Sequence, residues 1–145
     1  MIDINSRIFI IHTSWYKDYI DRMVDISIDV IKNKKLNGIV LNTRSYKAPG
    51  ALELAALGAQ KVGYDSDSVG VIFHGIIIRG ETSHYDLVTQ ETFRSIGTLA
   101  NDYPNRSFIN NVICVENENQ LEERLERNTK KNTEALIELI RAKEL

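Results

Sequence analysis

The chain has 145 residues, of which 43% are hydrophobic, and this predicts one domain, residues 1–145, with one buried core. A formal net charge of −2 excludes the basic surface of a nucleic-acid-binding protein, and a single cysteine, Cys114, excludes an internal disulfide and is typical of a reducing compartment. The N-terminal residues lack the pattern of a signal peptide and no apolar run is long enough to cross a membrane, so we expect a cytoplasmic protein without a membrane partner.

Short apolar runs alternate with longer helical stretches along the chain. The apolar runs predict strands at residues 7–12, 38–43, 69–78 and 108–115. Helices are predicted at residues 16–35, 50–62, 83–100 and 117–142, the last of them in two pieces, and residues 44–49 are predicted as a loop. This order predicts an α/β fold, a three-layer sandwich in which a roughly four-stranded, parallel, flavodoxin-like sheet carries helices on both faces. Ligands of such sheets bind at the carboxyl ends of the strands.

The turn after the third predicted strand, residues 79–86, is a candidate anion site. Gly80 permits a sharp turn there, and Ser83 with an acid three residues on has the spacing of a capping box. The N–H groups at a helix start point outward without partners, and with the helix dipole they favour an anion. Thr82 and Ser83 add hydroxyl donors, and His84 at the positive end of the dipole is expected to stay neutral and to accept a proton. Ordinary capping beside a surface histidine explains the same spacing equally well.

Two motifs resemble those of a known family. Residues 75–86 have the sequence Gly-Ile-Ile-Ile-Arg-Gly-Glu-Thr-Ser-His-Tyr-Asp, which resembles the Gly-x-Val-Ile-Arg-Gly-x-Thr-x-His signature of the lumazine synthases. Residues 49–54, Pro-Gly-Ala-Leu-Glu-Leu, resemble a second motif of that family. The resemblance extends from Trp15 to the last helix.

The resemblance implies a transferase of riboflavin biosynthesis, a 6,7-dimethyl-8-ribityllumazine synthase. Such an enzyme condenses 5-amino-6-(D-ribitylamino)uracil with 3,4-dihydroxy-2-butanone 4-phosphate and releases phosphate and water, without a cofactor or a metal. The implied partners are these small pyrimidine and sugar-phosphate substrates and further copies of the chain. The copies would form a homopentamer, and whether pentamers associate further stays open.

The resemblance also implies the roles of individual residues. His84 would be the catalytic proton-transfer residue, and Gly80, Glu81 and Thr82 would hold the phosphate. The other substrate-binding positions are Trp15 stacked on the pyrimidine, Ile76, Ile77 and Ile78 along its edge, Ala51, Leu52 and Glu53 along the ribityl chain, and Asn110, Arg124 and Lys131 contributed by a neighbouring subunit. Two of these depart from the family pattern, because Leu52 and Asn110 stand where aromatic residues are usual. Without the resemblance, a core aromatic at a strand–helix corner is the favoured interpretation of Trp15.

The last predicted helix carries Gln120, Arg124, Arg127 and Lys131 on one face. Arg127 has Glu123 one turn earlier as an ion-pair partner, whereas Arg124 has no acid in that position. This difference favours Arg124 as the phosphate ligand, with Arg127 as the alternative. The family has a glutamine followed four residues later by a phosphate-binding arginine, and Gln120 and Arg124 match this pattern.

The remaining chemically active residues are interpreted as structural. His12 and His74 lie inside predicted strands, and Cys114 in a buried strand is expected to be inert. Three other functions stay open at this point: a non-catalytic flavin- or lumazine-binding homologue, an archaeal-type riboflavin synthase that dismutates two lumazines, and a flavodoxin-like scaffold or signalling domain.

Overall fold

The computed structural model describes residues 2–144 of the chain. In chain order the elements are β1 (Arg7–His12), α1 (Lys17–Lys32), β2 (Lys35–Leu36), β3 (Ile39–Val40), β4 (Asn42–Lys47), a 3-10 turn (Ala51–Glu53), α2 (Leu54–Tyr64), β5 (Ser68–Ile78), α3 (His84–Asp102), β6 (Ser107–Val115) and α4 (Glu118–Lys143). A parallel sheet forms in the order β4-β1-β5-β6, and β2 pairs with β3 in a separate antiparallel hairpin. The predicted α/β flavodoxin-like fold is confirmed.

The strands bury side chains on both faces of the sheet, because successive residues of a strand point to opposite sides. Phe9 and Phe73 contribute to an apolar cluster with α2 and α3, whereas Ile10 and Ile72 contribute to one that includes residues of α4. At Gly58 of α2, an added Cβ would lie 2.7 Å from the Phe73 ring, so glycine permits the close approach of helix and sheet. A sheet covered on both faces accounts for the nearly continuous apolar sequence of β5.

The second strand of the sheet lies further along the chain than the sequence predicts. Residues 38–43 were expected as a strand and 44–49 as a loop, but the sheet strand β4 spans Asn42–Lys47. The preceding apolar residues belong to the β2–β3 hairpin, whose turn has Asn37 at φ 52° and Gly38 at φ 77°. A two-residue hairpin turn requires this left-handed backbone, which asparagine and glycine adopt most readily. β4 is an edge strand, so its polar sequence suits a half-solvated position.

The last helix is continuous and not, as predicted, in two pieces. It begins after Asn117, whose side chain accepts the N–H of Gln120 at 2.9 Å, and it contains no glycine or proline. Its buried residues recur every three or four positions and hold one uninterrupted face against the sheet; they are Leu121, Leu125, Thr129, Thr133, Leu136, Ile137 and Ile140. Within residues 2–144, no helix has the length and apolar character needed to cross a membrane.

Candidate active site

A cleft of about 380 Å³ opens beside the carboxyl ends of β1 and β5, the edge at which parallel α/β sheets bind their ligands. The segment after β1, the turn before α2, the end of β5 and the start of α3 form its walls. Ten predicted site residues line it: Trp15, Ala51, Leu52, Glu53, Ile76, Ile77, Ile78, Gly80, Thr82 and His84. Two sequence-distant motifs therefore meet in one cavity.

An aromatic wall is formed by the two residues that precede α1. Trp15 is 69% exposed and lines the cleft, so the alternative that it is a core aromatic is wrong. Tyr16 beside it is 41% exposed and has φ 59° and ψ 53°, a left-handed backbone that is rare for a residue with a large side chain. The ring of Trp15 is thus available for stacking on a planar ligand.

The floor of the cleft is the end of β5, which extends past its neighbour β1. The last residue pair between these strands is His12 with His74, and the N–H of Thr13 donates to the His74 carbonyl at 3.1 Å. From Gly75 to Ile78 only β6 lies alongside β5. One edge of β5 is therefore without a strand partner in the described residues.

The register determines which backbone groups face this open edge. Alternate residues of a strand direct their N–H and C=O groups to opposite neighbours. Since the Arg79 N–H donates to the Val115 carbonyl of β6 at 2.9 Å, Ile77 faces β6 as well. Ile76 and Ile78 then direct their N–H and C=O groups into the cleft. Two peptide units offer alternating donors and acceptors to the edge of a flat ligand.

A glycine keeps the opposite wall open. A Cβ at Gly50 would lie 3.2 Å from the Glu53 carboxylate oxygen Oε1 and 3.8 Å from the Trp15 indole nitrogen Nε1. The carboxylate and the indole N–H therefore converge on the same space. Leu52 is 46% exposed at the rim of the cleft. This wall offers one strong acceptor and one donor to hydroxyl groups.

The turn before α3 is built differently from the capping box that the sequence predicts. Ser83 occupies the N-cap position, but its side chain accepts no hydrogen bond, and its φ of −72° and ψ of 0° are helical rather than extended. Instead the Thr82 hydroxyl accepts the His84 N–H at 3.3 Å, and the Ser83 carbonyl accepts the N–H of Asp86 at 3.1 Å. The predicted capping box is therefore wrong, and the Ser83 hydroxyl is left without a partner among the described residues.

Gly80 does not have the conformational role expected from the sequence. Its backbone is not in the left-handed region, and a Cβ there would meet no atom within 4 Å. Gly80 lines the cleft, so the space above its backbone is open to a ligand. Glu81 is exposed and does not line the cleft.

Four predicted residues lie outside the cleft of a single chain; they are Glu81, Asn110, Arg124 and Lys131. Asn110 is half-buried in β6, where its side-chain oxygen accepts the N–H of Val112 at 2.8 Å. Arg124 and Lys131 are exposed on α4. Arg127 makes no ion pair with Glu123 within residues 2–144, so the ion-pair argument for Arg124 over Arg127 is wrong, and the spacing from Gln120 to Arg124 remains the argument for it.

The two strand histidines and the cysteine lie outside the cleft, as their structural interpretation predicts. His74 is fully buried, with Nε2 at 2.9 Å from the Ser27 hydroxyl and Nδ1 at 2.9 Å from the Asn111 amide nitrogen. Burial, and secondarily the nearby His12, lowers the pKa of His74 to about 3. Burial raises the pKa of the Cys114 thiol to about 11, which fits an unreactive side chain.

Sequence reasoning missed four lining residues, Tyr16, Gly50, Tyr85 and Val88. Val88 lies one helical turn after His84 and could have been found from that spacing. Gly50 and Tyr85 lie inside the two motifs, next to residues that were predicted. Tyr16 has no such signal, because its unusual backbone follows from the tertiary structure.

An apolar groove continues from the cleft along the outer side of α3. It shares Leu52, His84 and Val88 with the cleft and extends to Leu87 and Arg94. Leu87 is 65% exposed and Leu52 is 46% exposed, so together they leave an exposed apolar patch in this groove. The cleft is therefore open on the side of this groove.

The fold and the cleft define a small-molecule-binding α/β protein with a parallel, flavodoxin-like sheet. Comparison with known sequences gives the family. Residues 5–144 match the family described as 6,7-dimethyl-8-ribityllumazine synthase, and the chain belongs to this family.

Individual relatives carry the same name at modest identity. The chain is similar to the 6,7-dimethyl-8-ribityllumazine synthase of Prosthecochloris aestuarii, at 35% identity over 68% of the chain and 61% of the relative. It is similar to 6,7-dimethyl-8-ribityllumazine synthase 1 of Rhizobium meliloti, at 31% over 79% of the chain and 73% of the relative. It is also similar to the enzyme of that name from Agrobacterium fabrum, at 37% over 57% of each chain. The alignments thus span from a little over half to about three quarters of these relatives.

Proposed function

We propose that the chain catalyses the condensation of 5-amino-6-(D-ribitylamino)uracil with 3,4-dihydroxy-2-butanone 4-phosphate to 6,7-dimethyl-8-ribityllumazine, releasing phosphate and water. One observation carries the proposal: a single cleft joins an aromatic face and an open peptide edge to a helix start that the Ser83 side chain does not cap and that carries a histidine. These are the groups needed for a heterocycle, a polyol and a phosphate. Family membership and the names of the relatives support the same reaction.

The pyrimidine would bind on the floor of the cleft. Its ring would stack on Trp15, and its edge would receive hydrogen bonds from, and donate them to, the backbone of Ile76 and Ile78. Ile77 would contribute apolar contact, since its peptide groups bond to β6. The ribityl chain would extend along Ala51 and Leu52.

The Glu53 carboxylate would accept hydrogen bonds from the ribityl hydroxyls. Its oxygen lies next to the open space above Gly50. Charge-assisted hydrogen bonds of this kind are stronger than those between neutral groups. Glu53 would thereby fix the position of the substrate amine that attacks the ketone.

The phosphate would bind at the start of α3. The N–H groups of Gly80, Glu81 and Thr82 would donate to it, and the positive end of the helix dipole would add attraction. Thr82, whose hydroxyl is a further donor, also lines the cleft at this turn. His84, exposed at the cleft, would move the proton between the amine and the ketone oxygen as the imine forms.

The site would be completed by a neighbouring copy in a homopentamer. Asn110, Arg124 and Lys131 lie outside the cleft of their own chain, and the cleft opens onto the apolar groove along α3. A second copy covering this groove would bury Leu87 and bring an exposed arginine of α4 to the phosphate. We place the assembly in the cytoplasm, where the free thiol of Cys114 would stay reduced.

The test is an assay with both substrates on purified full-length chain, followed by lumazine formation and phosphate release. Lumazine formation at a rate above the uncatalysed reaction is the expected result. A yellow protein without turnover would instead identify a non-catalytic binder. Riboflavin formation from lumazine alone would identify a riboflavin synthase.

Arg124→Ala and Arg127→Ala form a matched pair that identifies the phosphate ligand. We expect Arg124→Ala to raise KM for the butanone phosphate by about tenfold or more, since a hydrogen bond to a charged group contributes about 1.5–3 kcal/mol. Arg127→Ala should leave KM for the butanone phosphate unchanged. The family's arginine follows a glutamine by four residues, as Arg124 follows Gln120, whereas Arg127 follows Gln120 by seven. The opposite order would assign the phosphate to Arg127.

His84→Ala tests the proton-transfer role. Positioned acid–base groups accelerate reactions by about 10²–10⁴-fold. Because this condensation depends mainly on positioning the two substrates, we expect the loss of rate to lie at the lower end of that range. We expect kcat to fall by about 100-fold, with KM for the butanone phosphate changed much less than in Arg124→Ala. An unchanged kcat would remove His84 from the chemistry.

A further inference from the structure

The side chain of Arg79 contacts the first turn of α3 and Glu116, the residue that follows β6, on either side of the predicted phosphate site. We propose that Arg79 is a positioning residue that fixes the anion-binding turn, residues 80–84, relative to the start of α4. The inference rests on the proposed function in one respect, namely that this turn binds the phosphorylated substrate. Arg79 itself would not touch the phosphate.

The guanidinium makes three contacts in different directions. Nε lies 2.8 Å from the Glu116 carboxylate after β6, and Nη1 lies 3.3 Å from the Asp86 carboxylate in the first turn of α3. Its central carbon lies 4.3 Å from the centre of the Tyr85 ring. A planar guanidinium can pair at two edges and stack at its face at once, which an ammonium group cannot do.

The contacts continue into α4. The N–H of Glu116 donates to the Gln120 side-chain oxygen at 2.8 Å, and the Asn117 side chain accepts the N–H of Gln120 at 2.9 Å. Glu116 is therefore held by the first turn of the helix that carries Arg124. Arg79 therefore links the turn of one site with the start of the helix whose Arg124 is predicted to reach the phosphate of a neighbouring site.

The turn has few other side-chain restraints. Within residues 80–84, the described hydrogen bonds from side chain to backbone consist of the Thr82–His84 bond, and Ser83 provides no cap. Arg79 is 39% exposed and Glu116 is 54% exposed, and pairs with this exposure add little to global stability. The contribution of Arg79 is therefore expected in the geometry of the turn rather than in the stability of the fold.

The experiment compares Arg79→Gln and Arg79→Lys with wild type by steady-state kinetics and by amide hydrogen exchange. We expect Arg79→Gln to raise KM for the butanone phosphate by about three- to tenfold, since two exposed ion pairs are lost and each is individually weak. KM for the pyrimidine should stay within twofold, because Ile76 and Ile78 lie on β5 outside the turn. Exchange should become faster in residues 80–86 and 117–120. Arg79→Lys keeps the charge and one ion pair, so it should recover part of the affinity.

Arg22→Gln is the matched control. It removes an exposed arginine that pairs with Glu122 of α4 at 3.3 Å, away from the turn, so kinetics and exchange in residues 80–86 should match wild type. Glu116→Gln tests the same ion pair from its other side. It should raise KM for the butanone phosphate as Arg79→Gln does, and the double variant Arg79→Gln/Glu116→Gln should raise KM no further. Wild-type KM and wild-type exchange in Arg79→Gln would overturn the proposal.

The two proposals fail in different ways. A wild-type chain that does not turn over the two substrates contradicts the proposed function, while exchange in residues 80–86 still decides whether Arg79 fixes the turn. An active wild type with an unaffected Arg79→Gln variant contradicts the positioning role alone.

Discussion

Tyr16 combines an unfavourable backbone with a position at the mouth of the cleft. A left-handed backbone costs a residue with a side chain about 1–2 kcal/mol relative to glycine. Strain of this kind persists where the surrounding structure requires it, and it concentrates at binding sites. Here the left-handed backbone of Tyr16 turns the chain from β1 into α1, and the rings of Trp15 and Tyr16 both lie at the cleft.

Tyr16→Gly and Tyr16→Ala separate the backbone from the ring. Both variants lose the ring, but glycine alone relieves the left-handed strain. We expect the glycine variant to have a free energy of unfolding about 1 kcal/mol higher than the alanine variant, measured by urea denaturation at one protein concentration. Both should bind the pyrimidine substrate more weakly than wild type. An alanine variant as stable as the glycine variant would show that the backbone strain is not significant.

At the residue scale, two short motifs predicted Glu53 and His84 in one site, and the position after the first strand predicted Trp15. The fold brings all three residues to one cleft. One of the two arguments for Arg124 over Arg127 depended on an ion pair that the described residues do not contain. Side-chain pairing on an exposed helix is weak, so spacing alone does not decide it.

At the scale of the elements, a buried polar network joins α1, β5, β6 and α4. The Asn111 amide donates to Nδ1 of His74, so the proton of His74 lies on Nε2 and is donated to Ser27. The Ser27 hydroxyl then donates to Thr133, which donates to the Thr129 carbonyl at 2.7 Å. Each buried group has its partner only while His74 is neutral, because a protonated Nδ1 could not accept from Asn111.

This network predicts a loss of stability in mild acid. The pKa of His74 is about 3 in the folded chain and has its ordinary value of 6.5 when unfolded, so the unfolded state takes up the proton first. The stability is present above pH 6.5 and is lost as the pH falls from 6.5 towards 3. The free energy of unfolding should fall by up to about 1.4 kcal/mol per pH unit in this window.

The measurement is urea unfolding between pH 7 and pH 4.5 at one protein concentration. His74→Gln removes the titration, so its stability should be lower at pH 7 and should depend less on pH. Asp65 contributes at lower pH: burial opposes the shift, but the Arg7 hydrogen bond lowers the pKa of Asp65 below 3.8, and its contribution is lost only below that value. Equal slopes for wild type and His74→Gln would exclude His74 as the cause.

Periodicity predicted the strongly apolar elements and failed for the weakly apolar ones. β5 was predicted almost to the residue because both its faces are buried. β4 was missed, since an edge strand with one covered face can be polar, and the apolar run before it belongs to a hairpin. The Asn37-Gly38 pair was a usable signal for that hairpin. The sequence also failed to predict that α4 is continuous, because its continuity follows from packing: all of its buried residues lie on one side of the helix, against one face of the sheet.

At the scale of the whole molecule, the single chain has an open site and an apolar groove beside it. Leu52, Leu87 and Phe93 are all large hydrophobic residues with exposed side chains on or near α3. The sequence indicated a ring of subunits by its resemblance, while the fold of one chain supplies the surface that a neighbour would cover. In the proposed assembly Arg124 and Lys131 on α4 would be contributed to a neighbour's site, since neither lines the cleft of its own chain.

Leu87→Lys tests whether assembly completes the site. A homopentamer of the 16.5 kDa chain would have a mass of about 82 kDa by light scattering. We expect Leu87→Lys to shift this mass towards that of the single chain, since covering a lysine in the groove would remove its charged group from water. The variant should also lose affinity for the butanone phosphate, although Thr82 and His84 are intact, because Arg124 of the neighbour is removed with it. Ile4→Lys changes another exposed aliphatic residue, 76% exposed and outside the groove, and should keep both mass and activity. A Leu87→Lys chain that is monomeric and fully active would show that one chain contains the complete site.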